Sequence, residues 1–498
     1  MDESGAVGCA WQQGAGISGR TQFHALGFRV LEKEPLMRAS PQRRSDLPGH
    51  CRAAGWMLAL AASLAGCADT MPPLPTGHTL VGSVADLRVD RSQLPFPELA
   101  EHPFAADGAL DLDDIATLAV LNNPDLKVAR ADAGVTHAQA FAAGLLPDPQ
   151  LQLTRDFPDR QEAGTTNAFN LNLSEDLNAL LRHPHDKRAA ELDARKTDLN
   201  LLWQEWQVVA KARTLGVKLV QEQRLQRVLQ ENRRLFADRY QRTEQALERR
   251  LLAIDAVTPH LTALQDVDKQ LRDLERQVNT DAHDLNALLG LLPDTPVPLR
   301  AQLAVPDIDE SAVLALLPDL PARRPDLIAL QAGYQAEDQR VRAALASRFP
   351  TFNVGFTRAR DTSGVYTHGF GVTLSLPLFN GNRGNIAIEE ATREKLRRDY
   401  ESRLDTMQSD VHRILSEQRI NARQLREVKE GIASLSTAAA DADAAFRARA
   451  IDALAYVTLR ASLLSKQVEE INLEQSILEQ RVALQALIGP TTAIPALK

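Results

Sequence analysis

Landmarks in this sequence recur, in the same order, about 200 residues apart. Asn123-Pro124-Asp125-Leu126 returns as Arg324-Pro325-Asp326-Leu327, and Leu145-Leu146-Pro147 returns as Arg348-Phe349-Pro350. Leu173-Ser174 matches Leu374-Ser375, Val257-Thr258 matches Val457-Thr458, and Leu288-Leu289-Gly290 matches Leu487-Ile488-Gly489. Ordered landmarks at a near-constant offset mark a tandem duplication. Whatever one half folds into, the other must fold into as well.

Each half begins with a helix, over 123–146 and 325–348, that stops at a proline, where the missing N–H ends helical geometry. Two short alternating segments follow in each half. They are Leu151–Thr154 and Phe169–Ser174 in the first, Phe352–Thr357 and Phe370–Leu376 in the second. Period-two alternation is the mark of a strand with one apolar and one polar face. Long helical stretches come next, roughly 186–247 with 252–290 and 385–447 with 457–488. In the second half Leu404, Met407, Val411 and Ile414, then Leu425, Val428, Ile432, Leu435, Ala439, Ala442 and Phe446, hold the alternating spacing of a coiled coil. A helix of some sixty residues rises roughly 90 Å, beyond the reach of a compact domain. The returning helix and the short helix of the same half add to a similar length, so a rod closes on itself.

The four strands carry Phe, Leu and Val on one face and Asn, Thr, Ser and Gly on the other. Outer-membrane barrels have this alternation, with apolar residues toward lipid and polar ones toward the lumen. An open sheet edge cannot lie in hydrocarbon. Four strands cannot enclose a lumen, so the chain must oligomerise, and three copies would supply twelve strands. The other possibility is a pair of soluble hairpins packed on helices.

The N-terminus reads as an address. Arg43, Arg44 and Arg52 precede an apolar stretch ending in Leu64-Ala65-Gly66-Cys67, which has the form of a secretory signal. It is too short to span a bilayer comfortably. Leu64–Cys67 resembles the bacterial lipobox, which makes Cys67 the expected site of diacylglycerol and palmitoyl attachment; Ala68 after it fits sorting to the outer membrane. Residues 1–36 are unlike a signal region and leave Met37 as a candidate start. All three cysteines lie at or before position 67, so packing alone must hold the body. Lys and Arg number 57 against 65 Asp and Glu, a net charge of −8 that leaves no nucleic-acid footprint.

The order helix–strand–strand–long helical hairpin, twice, together with Leu374-Ser375-Leu376-Pro377-Leu378-Phe379 and Asn380-Gly381-Asn382-Arg383-Gly384-Asn385-Ile386, resembles the TolC family of outer-membrane efflux channels. The Pro-Leu-Phe and Asn-x-Gly-Asn-Ile elements are closest to its CzcC-like heavy-metal branch, whereas Arg323-Arg324-Pro325-Asp326 resembles the drug-efflux lipoproteins. The resemblance covers about 110–490. It implies a mostly α protomer with a small β part, and a homotrimer with a 12-stranded outer-membrane barrel continued by a periplasmic α-helical barrel. The expected partners are a periplasmic adaptor, an inner-membrane RND-type pump and outer-membrane lipid. The expected organisation is a signal region 1–66, an extended lipid-anchored segment 67–112, repeat one 113–292, a Pro-rich equatorial linker 293–324, repeat two 325–490 and a tail 491–498.

A duct catalyses nothing, and the sequence has no Ser-His-Asp arrangement, phosphate loop or His-Glu-x-x-His. No cofactor or metal is expected. The candidate gate and adaptor-docking residues lie at the helix-hairpin turns: Glu248, Arg249, Arg250 and Asp255, with Arg447, Arg449 and Asp452. Their charges are expected to pair across neighbouring hairpins and hold the end closed. The family commonly has glycine where this chain has Arg250 and Arg449. Asn170, Asn172, Ser174, Asn353, Thr373 and Ser375 are expected to line the barrel lumen. His183-Pro184-His185-Asp186 reads as a loop at a strand-to-helix junction rather than a metal site. The competing classes are a periplasmic adaptor, which has one hairpin rather than two, and a poreless coiled-coil scaffold.

Overall fold

The computed structural model describes residues 73–103, 108–160, 164–307 and 309–489. Cys67, the signal region, the loop residues Glu162 and Ala163 and the tail 491–498 lie outside them.

Helix α1 (Leu112–Asn122) leads into α2 (Pro124–Gly144), strands β1 (Gln150–Asp156) and β2 (Ala168–Asp176), and the long hairpin α3 (Leu177–Glu248) and α4 (Ile254–Leu289). The second half repeats the order as α5 (Pro325–Ala346), β3 (Thr351–Arg360), β4 (Tyr366–Ser375), α6 (Arg383–Arg447) and α7 (Ala453–Ile488). Helix α3 has 72 residues and α6 has 65, so they rise about 108 and 98 Å. Met407, Val411, Ile414, Val428, Ala439 and Ala442 of the coiled-coil stripe are buried.

Helix α3 starts nine residues before the expected boundary at 186. Asp176, the last residue of β2, accepts from the N–H groups of Asn178 and Ala179 and caps the helix at once. The loop expected at 183–186 is therefore incorrect: His183, Pro184, His185 and Asp186 lie inside α3, which passes through its proline.

Both returning helices stack end-on against the first helix of their own half. Asn123 accepts from Leu126 N with its side-chain oxygen and donates Nδ2 to Leu288 O at 3.0 Å. At the matching place in half two, Arg324 donates to Leu487 O at 3.2 Å. The duplication is thus physical: each rod is joined across one carbonyl at the end of its returning helix.

The Pro-rich inter-repeat segment has short helices of its own. Short helices at Glu310–Leu316 and Leu320–Arg323 stand where half one has α1, and Pro318 and Pro321 explain why that helix is broken. Likewise the N-terminal segment is not uniformly extended; it includes a helical turn at Pro97–Glu101. The two segments run together, with single parallel bridges pairing Val81 with Leu291 and Leu110 with Leu299. The main core forms beside them, where Ile115, Leu118 and Val120 of α1 meet Trp206, Leu215, Leu285 and Leu289. Glycine at 216 lets α1 approach α3 closely: an added Cβ would sit 2.6 Å from Ile115 Cδ1 and Leu112 Cδ2, which would have to move. A second core joins the two hairpins near their turns through Leu229, Phe236, Val267, Ala442, Tyr456 and Val457.

The strands form one antiparallel sheet in the order β1-β2-β3-β4. Among the described residues, no helix is long and apolar enough to cross a membrane.

Candidate functional site

Register decides which residues share a face, because directly opposed residues in an antiparallel pair point to the same side. Asn170, Asn172 and Ser174 of β2 stand opposite Ala359, Thr357 and Gly355 of β3. Asn353 stands opposite Thr373, and Thr351 opposite Ser375. All six lumen candidates therefore lie on one face of the sheet, continued on β1 by Gln150, Gln152 and Thr154. Thr357 Oγ1 and Asn172 Oδ1 lie 3.3 Å apart across that face. The opposite face carries exposed Leu151, Leu153, Phe356, Phe370 and Val372. Apolar exposure continues past β4 through Leu376 and Leu378 to Phe379, which is 97% exposed. Two open edges and one exposed apolar face cannot be the final state of such a sheet in water.

The turn out of β4 explains the Asn-Gly-Asn element. Gly381 and Asn382 both have positive φ, and Asn382 donates Nδ2 to Ala344 O at 2.8 Å, tying the start of α6 to the end of α5.

At the hairpin turns, Arg250 has φ 58° and Arg449 has φ 59°. Each turn makes the same pair of bonds: Arg250 N to Leu247 O and Leu251 N to Ala246 O, then Arg449 N to Phe446 O and Ala450 N to Ala445 O. This is the Schellman closure of a helix, whose left-handed position glycine normally fills. Both arginines carry a Cβ into that conformation at a cost of about 1 kcal/mol each. Glu248 and Arg249 end α3, Asp255 lies in the first turn of α4, and Arg447 ends α6. Asp452 caps α7 by accepting from Ala455 N at 2.7 Å. Arg447 donates to Asp443 O, within its own helix, at 3.1 Å. Among the described residues, no ion pair within the protomer joins these seven side chains. Asp255 and Leu454 line opposite walls of a groove of about 890 Å³ between α4 and α7, floored by Val457, Ala263 and Val267.

Just above the turns is a cluster that the sequence reading missed. Asp443 accepts from Tyr456 Oη at 2.8 Å and pairs with Arg460 of α7 and, at 3.4 Å, with Arg239 of α3. Phe446 stacks on Tyr456 with ring centres 4.8 Å apart, and Arg239 lies over the Tyr456 ring at 5.5 Å. His260 of α4 packs against both rings at 5.8 and 6.1 Å. His260 is fully buried with no hydrogen bond on either ring nitrogen. Burial, aided by the nearby Arg239 charge, pushes its pKa down to about 4. Burial and then the bond to Asp443 push the Tyr456 hydroxyl up. The available signal was Asp443 itself, a carboxylate next to Ala442 in the apolar stripe of α6, where a charge beside the core must find partners.

His185 Nδ1 lies 3.0 Å from Gln339 Oε1 of α5, a packing contact between helices. Among the described residues, one group could offer a metal three ligand atoms: His102, Asp111 and Asp114. Asp111 also pairs with Arg300 at 3.2 Å and caps α1, which accounts for its charge without an ion.

A two-faced four-stranded sheet is carried here on a duplicated helical rod, and residues 316–490 match the outer membrane efflux protein family. Its relatives include the pyoverdine export outer membrane protein OpmQ of Pseudomonas aeruginosa, 25% identical over 86% of this chain and 94% of OpmQ. OpmQ of Pseudomonas putida is 27% identical over 87% of this chain and 96% of its own. Among solved structures, the outer membrane protein VceC of Vibrio cholerae superposes with a TM-score of 0.65 at 16% identity, over 77% of this chain and 97% of VceC. The TolC-family resemblance therefore holds, the fold is that of its channels, and the protein is an outer-membrane transporter rather than an enzyme.

Proposed function

We propose that three copies of this chain form the exit duct of a tripartite efflux system. The sheet carries this reading: one face is wholly polar or small, the other is apolar, and both edges are open. Three such sheets joined β4 to β1 give twelve strands with no free edge. The polar face lines the lumen, with Asn170, Asn172, Ser174, Asn353, Thr373 and Ser375 in its wall. The α3–α4 and α6–α7 hairpins continue the duct into the periplasm. A periplasmic adaptor, coupled to an RND-type inner-membrane pump, meets their tips, and acyl chains on Cys67 add an anchor. Arg249, Arg250, Arg447 and Arg449 pair with Glu248, Asp255 and Asp452 of neighbouring hairpins and hold the tips together. Each exposed pair contributes only about 0–1 kcal/mol, but the trimer repeats it threefold.

For the cargo, likeness to pyoverdine exporters along nearly the whole chain favours a pyoverdine-like organic solute. The CzcC-like elements at 377–386 favour heavy-metal cations. Deleting the gene and measuring both pyoverdine-type export and cobalt, zinc and cadmium tolerance separates the two.

The duct is tested by planar-bilayer conductance of the purified protein, with the oligomeric mass taken from the same preparation. A trimer giving small, discrete, cation-biased steps is expected. A monomer without conductance would overturn the reading. Replacing Arg447 and Arg449 by Ser raises conductance if the tip pairs are a lock; unchanged conductance removes the lock and leaves the duct.

A further inference from the structure

The apolar face of the sheet changes character toward its loop end. Three rows run across the strands. Leu151, Leu173, Phe356 and Phe370 form one; Leu153, Leu171, Arg358 and His368 form the next; Arg155, Phe169, Arg360 and Tyr366 form the last before the loops. The rows pass from wholly apolar to half basic and then to alternating arginine and aromatic. The acidic residue on this face, Glu175, stands opposite Val354, toward the helical end. Arg155, Arg358 and His368 are exposed. Among the described residues, none of the three arginines pairs with a carboxylate, and Arg360 Nε is buried without a hydrogen-bond partner. The arginines are instead set against rings. Arg155 lies 5.2 Å over Phe157 and Arg360 lies 5.7 Å over Tyr366, whose ring meets Phe169 edge-on at 6.2 Å.

We propose that Arg155, Arg358 and Arg360 form a binding site for the phosphate groups of outer-leaflet lipid headgroups, encircling the mouth of the barrel. This rests on the barrel assignment in Proposed function. An arginine facing lipid is costly at mid-bilayer and nearly free at the interface, so the two outer rows must lie at headgroup depth. There a guanidinium without an acidic partner finds the anion it lacks, because phosphate oxygens match its fork of donors. Arg358 and Arg360, two residues apart on one face, are separated by about 7 Å, a span that one bis-phosphorylated headgroup can bridge. Phe169 and Tyr366 lie where amphipathic rings favour the boundary between acyl chains and headgroups. In the trimer β1 of one protomer adjoins β4 of the next, so Arg155 continues the basic row past each junction.

The test uses the purified, full-length oligomer in detergent and measures retained lipid by native mass spectrometry. The probes are bis-phosphorylated lipid A, the same lipid with its phosphates removed, and inorganic phosphate as competitor. The wild-type protein is expected to retain the bis-phosphorylated form about tenfold better than the dephosphorylated one. Combined replacement R155Q, R358Q and R360Q abolishes that preference, while R276Q on α4 leaves it intact. Equal retention of the two lipids by the wild-type protein overturns the proposal, and this comparison needs no variant to fold. Displacement of lipid A by inorganic phosphate alone also overturns it, because the arginines would then serve a free anion. The barrel assignment has its own readout: a fluorophore on F356C in vesicles should be quenched by bromines deep in the acyl chains. Quenching without a phosphate preference sinks only the headgroup site; no quenching sinks the barrel.

Discussion

The two halves of this chain share one architecture but fasten it by different chemistry. Half one joins its rod through Asn123, a short side chain that caps α2 and bonds Leu288 O. Half two uses Arg324, which is 1% exposed and holds Asp326 through two bonds of 2.9 and 2.7 Å beneath Trp203. Arg403 of α6 donates to the same carboxylate at 2.8 Å. The two arginines hold Asp326 below the usual carboxylate range even though burial opposes them. The turns differ as well: Asp452 caps α7, whereas Ala253 before α4 offers no side-chain cap and Pro259 interrupts the helix's early bonds. After duplication the geometry was kept while the polar groups diverged. Both halves bury charge, Glu205, Glu222 and Asp281 in half one and Arg324, Asp326 and Glu337 in half two, and Arg239 of half one reaches Asp443 of half two.

The largest expected effect breaks that contrast directly. Arg324→Ala leaves Asp326 buried with Arg403 as its remaining partner and should cost about 3–5 kcal/mol per protomer. Asn123→Ala should cost about 1–2 kcal/mol. Urea unfolding of the purified protein followed by circular dichroism separates the two; equal losses would mean the joints are interchangeable. His260 comes next. Its folded pKa of about 4 lies below the unfolded value near 6.5, so the unfolded chain binds the extra proton. Stability should be full above about pH 6.5 and fall by about 3 kcal/mol as pH drops to 4. His260→Phe should remove that slope; a slope that persists would assign it to other groups.

Smaller effects sharpen the contrast at the turns. Asp452→Ala should lose about 1 kcal/mol and Ala253→Asp should gain a similar amount, making the turns more alike in hydrogen exchange. Arg250→Gly and Arg449→Gly should each relieve up to about 1 kcal/mol of left-handed strain, partly offset by the entropy of glycine. A loss of stability in either variant would show that the arginine side chain contributes more than its backbone costs.

The helices, strands and repeat were legible in the sequence because apolar spacing is dictated by element geometry, and both copies had to obey it. The six polar strand residues were legible for the same reason: period-two alternation leaves no choice of face once register is set. Other features were not, because they depend on partners far away in the chain. Nothing local marks His260 as buried; its surroundings come from Phe446 and Tyr456. Pro184 suggested a loop because a proline removes one helical bond, but the cap at Asp176 had already started the helix seven residues earlier. At the turns, by contrast, the resemblance already pointed to Arg250 and Arg449 as stand-ins for glycine, and both have positive φ.

The junction at Asp176 has a mechanical consequence. This residue both ends β2 and caps α3, so no free residue separates the sheet from a helix of 72 residues. The other exit from the sheet into a long helix, from β4 to α6, has seven residues between its ends, with Gly381 and Asn382 at positive φ. The two long helices thus leave the sheet differently, α3 by a stiff root and α6 by a slack tether. With a lever of about 108 Å, a tilt of only about 5° at the root displaces the far end by roughly 9 Å. Wide movement at the tips therefore needs almost no rearrangement in the wall.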